Sequence, residues 1–221
     1  KKISLALQPQ QKEREEKETA AAAAAKKEKQ QPKQKLPKIS ILHTGGTIAS
    51  RVDYRTGGVV ARFTPQEILE MFPELKEIAE IDSRLIRNMW SEDMRFAHYN
   101  IMAKEAAKEA AKGADGVIIT HGTDTLHYSS AALAFALEGM DIPVILVGAQ
   151  RSSDRGSTDA ATNLISAAYF IANSDFSGVA ICMHDNMSDT SSLILPATKA
   201  RKMHTSRRDA FRPINSRAIA R

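Results

Sequence analysis

The sequence predicts a three-layer α/β fold, in which a mostly parallel sheet carries helices on both faces. Short, continuous apolar runs recur along the chain and alternate with longer segments of helical composition. Strands that are apolar at every position are typical of parallel sheets covered on both faces. The 43% hydrophobic content supports a core, and the single cysteine, Cys182, excludes a disulfide framework. No apolar run approaches the roughly 20 residues that cross a bilayer, so we expect a cytoplasmic protein.

The predicted elements follow one another from residue 38 onward. The predicted strands are residues 39–42, 117–120, 143–147 and 178–182. The predicted helices start at Thr64 and then cover residues 94–112, 124–137 and 158–172. The first helix start is a capping box, with Thr64 as N-cap, Pro65 at the first helical position and Glu67 at the third. Gly113 and Gly139 end the next two helices, because glycine accepts the left-handed conformation at a helix C-terminus.

Residues 1–37 are predicted to be a linker ahead of a folded body at residues 38–221. They are rich in Ala, Lys and Gln, which are helix formers but provide no apolar stripe for packing on a core. Residues 1–38 carry 11 Lys/Arg and 5 Asp/Glu, residues 199–221 carry 8 and 1, and residues 39–198 carry 12 and 20. The net charge of +5 therefore comes from the two ends. An arm that contacts RNA is the alternative interpretation of the first end.

Deleting residues 1–35 is expected to move the thermal unfolding midpoint of the remaining chain by no more than about 2 °C. The reason is that this segment has no apolar stripe whose burial would stabilise the body. Circular dichroism melting of the two proteins measures the difference. A midpoint lowered by about 10 °C would mean that the arm packs on the body.

Two of the predicted strands end in turns that contain glycine and threonine. The turns are HTGGT at residues 43–47 and THGTDT at residues 120–125. Ligands of parallel α/β sheets bind beyond the carboxyl ends of the strands, and glycine lets the backbone approach them. Either turn alone is ordinary loop chemistry, and the alternative interpretation of Thr123 or Asp124 is an N-cap with no further role. The two turns together predict one shared site.

A threonine nucleophile needs a basic group beside it, because its neutral hydroxyl reacts poorly. Lys202 held by Asp124 can fill this role if its surroundings favour the neutral amine. It follows another strand-like run, although spacing alone favours a surface lysine in a basic tail. The histidines His121, His184 and His204 lack metal-ligand spacing, so no metal is assigned. Walker A and Gly-x-Gly-x-x-Gly sequences are absent, which argues against nucleotide-binding classes.

The two turns lie within longer segments that resemble the signatures of the bacterial-type L-asparaginase/glutaminase family. ISILHTGGTIAS at residues 39–50 resembles the first signature, and GVIITHGTDTL at residues 116–126 resembles the second. The resemblance covers residues 38–221. It implies the family's N-terminal α/β domain, with a smaller C-terminal domain expected beyond Arg221.

The resemblance also implies a role for each matching residue. The catalytic set it implies is Thr47 as nucleophile, with Thr123, Asp124 and Lys202 to activate the attack. Ser91 would hold the α-carboxylate of the substrate, and Glu92 would assist Asp124 at the α-ammonium group. Tyr54 would belong to a mobile loop over Thr47. No metal or cofactor is implied in this chain.

Within the family, the sequence more particularly resembles the D subunits of archaeal glutamyl-tRNA(Gln) amidotransferases. The segments that carry this likeness are residues 91–94, 121–128 and 201–211, and the long stretch between Met183 and Lys202. Such a protein releases ammonia from glutamine or asparagine for a partner E subunit. The partner, with ATP and Mg²⁺, converts Glu-tRNA(Gln) to Gln-tRNA(Gln) and makes most of the tRNA contacts. The likeness implies a homodimer within a heterotetramer.

Two other functions fit the same residues. A free L-asparaginase would have no role with tRNA. A non-catalytic interaction module would keep the family core without the reaction. The intact set of Thr47, Thr123, Asp124 and Lys202 argues against the second of these.

Overall fold

The structure, a computed structural model, describes residues 35–52, 55, 59–61, 64–188 and 190–221. Its strands are β1 (Lys38–Gly45), β2 (Ser50–Val52), β3 (Val59–Ala61), β4 (Glu80–Met89), β5 (Gly116–Thr120), β6 (Pro143–Val147), β7 (Gly178–His184), β8 (Ser192–Pro196), β9 (Ala200–Lys202) and β10 (Phe211–Pro213). Its helices are α1 (Pro65–Met71), α2 (Leu75–Ile78), α3 (Phe96–Ala111), α4 (Leu126–Ala136) and α5 (Ala160–Asn173). The predicted linker, apart from residues 35–37, lies outside the described residues.

The main sheet has the order β4-β1-β5-β6-β7-β8 among the described residues. Every neighbouring pair in it is parallel except β7 and β8, which run antiparallel. The prediction of a mostly parallel sheet is therefore confirmed. Strands β1 and β5 are neighbours, with His43 opposite Thr120 at their carboxyl ends. The two predicted threonine turns thus leave the sheet side by side.

Helices cover both faces of the sheet, as the continuous apolar strands predicted. In β5, Val117 and Ile119 belong to one core cluster, whereas Ile118 between them belongs to the other. Side chains of α3 and α4 complete the first cluster, and side chains of α1, α2 and α5 complete the second. Each fully buried Leu or Ile contributes about 2 kcal/mol relative to an exposed one, so the two cores hold the layers together. No helix in the described part is long and apolar enough to cross a membrane.

The ends of the helices follow the signals read from the sequence, with small shifts. Thr64 accepts a hydrogen bond from the backbone of Glu67, and the Glu67 carboxylate accepts one from the Thr64 backbone at 2.7 Å. This capping box confirms the predicted start of α1. Gly113 and Gly139 have φ of 86° and 81°, the left-handed conformation expected after α3 and α4. Helix α4 begins at Leu126, two residues after the predicted start, because the residues before it form a turn.

A buried glutamate on α3 fastens that helix to the edge of the sheet. Glu109 is only 2% exposed, and its carboxylate accepts hydrogen bonds from Ser40 on β1 and Arg84 on β4 at 3.0 and 2.8 Å. Lys112 donates a further bond at 2.9 Å. Burial alone would raise the pKa of Glu109, but the bonds from Lys112, Arg84 and Ser40 hold it below the ordinary value of 4.5. The ionised carboxylate therefore stabilises the fold.

Replacing Glu109 with glutamine is expected to lower the free energy of unfolding by about 2 kcal/mol, the cost of losing hydrogen bonds to charged donors. Because the folded pKa is lowered, this stabilisation is present above pH 4.5 and is lost as the pH falls through the folded pKa. Urea unfolding at pH 7 and at about pH 3.5 measures both effects. The same change at the exposed Glu77 is the control, with an effect under about 0.5 kcal/mol. Equal effects of the two changes would contradict a stabilising role for Glu109.

Candidate active site

The loops that follow β1 and β5 touch through their glycines. Gly46 has a φ of 80°, and a Cβ built on it would lie 2.5 Å from the backbone nitrogen of Gly122. No side chain fits such a gap, so the two backbones meet only because glycine stands at residue 46. Thr47 and Thr123 each come directly after these glycines in the chain. The structure thereby brings the two predicted threonine turns into contact.

Lys202 reaches both residues that follow Gly122. Its Nζ lies 2.7 Å from Thr123 Oγ1 and 2.8 Å from Asp124 Oδ1. The lysine side chain is 7% exposed and that of Asp124 is 53% exposed. Spacing alone favoured a surface lysine, and the burial of this side chain contradicts that interpretation. The cluster of Thr123, Asp124 and Lys202 places an amino group against a threonine hydroxyl.

A small second sheet holds Lys202 in this position. Lys202 ends β9, which pairs antiparallel with β10, and its partner in the pair is Phe211. Phe211 is fully buried in the core cluster that also contains Leu126, the first residue of α4. The strand that carries the lysine is therefore tied to the helix that follows Thr123 and Asp124. A residue 78 positions away in the chain is in this way fixed beside Asp124.

Ser91 also packs against the Gly122 loop. A Cβ built on Gly122 would lie 2.7 Å from Ser91 Cβ, and the Ser91 carbonyl accepts a bond from Thr125 Oγ1 at 2.7 Å. The Ser91 hydroxyl donates to the carboxylate of Glu92 at 3.2 Å. Ser91 is 3% exposed, whereas Glu92 is exposed. Ser91, which is predicted to bind the α-carboxylate, thus lies against the Gly122 loop, and Glu92 contacts Ser91.

Tyr54, which is predicted to belong to a mobile loop over Thr47, lies outside the described residues. The structure describes the flanks of this segment, where β2 and β3 pair antiparallel between Ser50 and Ala61. The role of Tyr54 over the first threonine stays a prediction.

Two buried histidines, His121 and His43, support the two turns through hydrogen bonds. The Nδ1 of His121 donates to the Gly122 carbonyl at 2.7 Å, and its Nε2 therefore accepts from the Ser129 hydroxyl at 2.8 Å. Burial lowers the pKa of His121 to about 4, although the bond to Gly122 opposes the shift. Burial likewise lowers the pKa of His43 to about 4. Both rings are neutral at pH 7 and act as fixed hydrogen-bonding supports.

His43 likewise connects neighbouring strands through hydrogen bonds. His43 lies within 2.9 Å of the hydroxyls of Thr120 on β5 and Ser83 on β4. These contacts join three adjacent strands just below the two loops.

Among the residues that the structure describes, no group of three or more His, Cys, Asp or Glu side chains has the arrangement of a metal site.

Gln150 is a site neighbour that the sequence did not single out. Thr123 Oγ1 donates to Gln150 Oε1 at 3.1 Å, and the backbone nitrogen of Gln150 donates to the buried Asp159 at 2.9 Å. The available signal was its position, because Gln150 follows β6 by three residues, at the same edge of the sheet as the two threonine turns. A single glutamine in a loop carries no motif, so the sequence alone did not reveal the contact.

Comparison with known proteins identifies the family. Residues 38–221 match the family model described as "Asparaginase, N-terminal", so the chain belongs to the asparaginase family. It is 53% identical over 191 residues to the D subunit of the glutamyl-tRNA(Gln) amidotransferase of Pyrococcus furiosus, covering 86% of this chain and 43% of that protein. It is 52% identical over 186 residues to the D subunit of the same enzyme from Methanosarcina barkeri, covering 84% of this chain and 43% of that protein. The chain thus spans less than half the length of these relatives.

Solved structures of asparaginases share the fold. The thermostable L-asparaginase from Thermococcus kodakarensis matches with a TM-score of 0.71 and 33% identity, over 82% of this chain and 52% of that one. A probable cytoplasmic L-asparaginase from Campylobacter jejuni matches with a TM-score of 0.72 and 32% identity, over 83% of this chain and 55% of that one. These matches confirm the α/β fold predicted from the sequence.

Proposed function

We propose that this chain carries the reacting residues of an amidohydrolase that releases ammonia from the side-chain amide of glutamine or asparagine. The single observation that carries the proposal is the cluster at the Gly122 loop. In it the Lys202 amino group lies 2.7 Å from the Thr123 hydroxyl and 2.8 Å from the Asp124 carboxylate. An amine that contacts both a hydroxyl and a carboxylate can pass a proton to or from a reacting group.

Thr47 acts as the nucleophile in this proposal. Its hydroxyl oxygen attacks the side-chain carboxamide carbon, and the C–N bond breaks as the nitrogen gains a proton and leaves as ammonia. Water then hydrolyses the threonine ester to give the acid and to restore the hydroxyl. The cluster of Thr123, Asp124 and Lys202 accepts the proton of the attacking group and returns one to the leaving nitrogen. The contact of Gly46 with Gly122 supports one site for both threonines.

The substrate's α-groups are assigned to residues at and beside the same loop. The Ser91 hydroxyl holds the α-carboxylate, and Asp124 with Glu92 faces the α-ammonium group. The packing of Ser91 on Gly122 supports this arrangement, because it sets a hydrogen-bond donor beside the threonine turn. Tyr54 closes over Thr47. The preference between the two amides, which differ by one methylene, is a matter for measurement, since such a difference is worth only about 1–3 kcal/mol.

The ammonia serves a second protein chain in this proposal. The curated relatives at 52–53% identity carry the name of the D subunit of a glutamyl-tRNA(Gln) amidotransferase, whereas the solved L-asparaginases are at 32–33%. The partner is an E subunit that uses ATP and Mg²⁺ to convert Glu-tRNA(Gln) to Gln-tRNA(Gln) and makes most of the tRNA contacts. Two copies of each of the two chains form a heterotetramer in the cytoplasm. This chain itself needs no cofactor.

Ammonia release tests the proposal directly. Ammonia is measured with L-glutamine and with L-asparagine, with and without an E subunit, ATP and Glu-tRNA(Gln). The proteins are the 221-residue chain and a chimaera in which the C-terminal part of the Pyrococcus furiosus relative follows Arg221. We expect release that the E subunit and Glu-tRNA(Gln) stimulate, together with Gln-tRNA(Gln) as product.

Two outcomes would contradict the proposal in different ways. Rapid release from asparagine at the same rate with and without the E subunit would favour a free L-asparaginase. No release by the chimaera under any condition, with the E subunit still bound, would favour a non-catalytic interaction module. The similarity to solved L-asparaginases makes the first of these the second candidate function.

A further inference from the structure

We propose that Gln150 is a positioning residue whose side-chain amide holds the Thr123 hydroxyl oxygen in place beside Lys202. The proposal rests on the function proposed above, because the reaction that it serves is amide hydrolysis. Gln150 does not touch a reacting atom of the substrate in this scheme. It acts through Thr123.

A backbone carbonyl sets the orientation of the Gln150 amide. The carbonyl oxygen of Arg207 can only accept a hydrogen bond, and it lies 3.0 Å from Gln150 Nε2. The amide nitrogen must therefore face Arg207, which turns Oε1 toward Thr123. Because Oε1 can only accept, the Thr123 hydroxyl must donate to it across 3.1 Å. The direction of the Thr123 proton thus follows from a carbonyl two contacts away.

Thr123 is held on two further sides. Lys202 Nζ donates to the hydroxyl oxygen at 2.7 Å, so one lone pair of the oxygen faces the amino group. The Thr123 methyl packs on Gly148, where an added Cβ would lie 2.9 Å from Cγ2. A hydroxyl has one proton and two lone pairs, so its second lone pair is left to accept from the attacking group or from water. These contacts predict a single rotamer for Thr123.

Gln150 is itself held through both its backbone nitrogen and its side-chain amide. Its backbone nitrogen and that of Arg151 donate to the buried Asp159 carboxylate at 2.9 and 3.0 Å. The residue that it meets, Arg207, makes a two-pronged ion pair with Asp209, with both distances 2.8 Å. An amide held between two braced loops restricts its partner more than a solvated glutamine does.

For the reaction, this arrangement places the Thr123 oxygen in position for proton transfer. During transfer, the Thr123 oxygen takes up the proton of the attacking group while its own proton turns from Gln150 to the Lys202 nitrogen. Without the amide, the Thr123 side chain is held on fewer sides, and fewer molecules keep the oxygen between Lys202 and the attacking group. A neutral hydrogen bond of this kind corresponds to a change in rate of about five- to tenfold. Substrate binding is largely unaffected, because the contacts assigned to the substrate's α-groups do not involve Gln150.

The test replaces Gln150 with methionine, which keeps the length of the side chain and removes both polar atoms. We expect kcat for amide hydrolysis in the chimaera to fall about tenfold, with KM changed less than about twofold. The rotamer of Thr123 is read independently of activity, from the NMR couplings of its methyl group. We expect one rotamer in the parent protein and averaging in the variant. The same change at Gln66, an exposed glutamine of α1, is the control and leaves all three readings unchanged.

A second variant, Gln150→Glu, separates positioning from a merely structural role. It keeps an acceptor for Thr123 and adds a negative charge near Lys202. We expect the Thr123 rotamer to be kept and kcat to stay closer to the parent value than in Gln150→Met, because the acceptor for the Thr123 hydroxyl is retained. A merely structural role would lower the melting temperature and kcat of both variants alike.

The proposal is overturned if Gln150→Met keeps one Thr123 rotamer, or if kcat stays within about twofold of the parent value. If the parent protein releases no ammonia from either amide, the proposed function fails, and the rotamer measurement alone decides on Gln150. If ammonia release is normal and the rotamer does not respond, the proposed function stands and the positioning role is rejected.

Discussion

Replacing Thr47 with valine is expected to abolish amide hydrolysis while the protein stays folded. Valine matches threonine in shape and lacks only the hydroxyl that attacks the amide carbon. Thr47 is partly exposed at the start of a single 3-10 turn, and the buried contacts of that turn come from Ile48 and Ala49. Loss of a nucleophile typically lowers kcat by roughly 10,000-fold or more. The unfolding midpoint should change little.

Ammonia release and thermal unfolding of Thr47→Val in the chimaera provide the measurement. Thr198→Val, at an exposed threonine outside the cluster, is the control for loss of a hydroxyl. Thr47→Ser keeps a hydroxyl and should retain measurable activity. Hydrolysis by Thr47→Val at the parent rate would reject Thr47 as the nucleophile. The same assay on Thr123→Val would then ask whether the second threonine attacks.

Local signals in the sequence were sufficient for most of the sheet and the helix starts. The four predicted strands are apolar at nearly every position, which is the pattern typical of strands buried on both faces. Strand β4 was not predicted, because polar and charged residues such as Asp82 and Arg84 interrupt its apolar ones. It joins the sheet by pairing with β1, and its Arg84 meets the buried Glu109 on α3. These are contacts between distant segments, which no local pattern contains.

The candidate site was predictable in its parts but not in its assembly. The two threonine turns were visible because each combines glycine with a hydroxyl after an apolar strand. Their contact depends on β1 and β5 being neighbours, although β4 and α3 lie between them in the chain. The Lys202 contact depends on the β9–β10 pair, and the Gln150 contact depends on the carbonyl of Arg207. Strand order and hairpin docking are set by the whole core, so the family resemblance, rather than spacing, led to Lys202.

Replacing Lys202 with methionine is expected to lower kcat by about 100- to 10,000-fold, the usual contribution of a group that transfers protons. Methionine keeps an unbranched stem in a position that is 7% exposed, so packing is largely preserved. Thr123 keeps its bond to Gln150, and the half-exposed Asp124 is solvated by water. Because no contact assigned to the substrate is removed, KM should change much less than kcat.

Steady-state kinetics in the chimaera measures this effect, with Lys199→Met as the matched control. Lys199 is an exposed lysine three residues earlier in the same basic segment, and its loss should change kcat less than about twofold. Small primary amines added to Lys202→Met should restore part of the rate if a proton-transferring amine is what is missing. They should not restore it if the lysine only holds β9 in place. A loss of only a few-fold in Lys202→Met, equal to that in Lys199→Met, would mean that the amino group beside Thr123 and Asp124 takes no part in proton transfer.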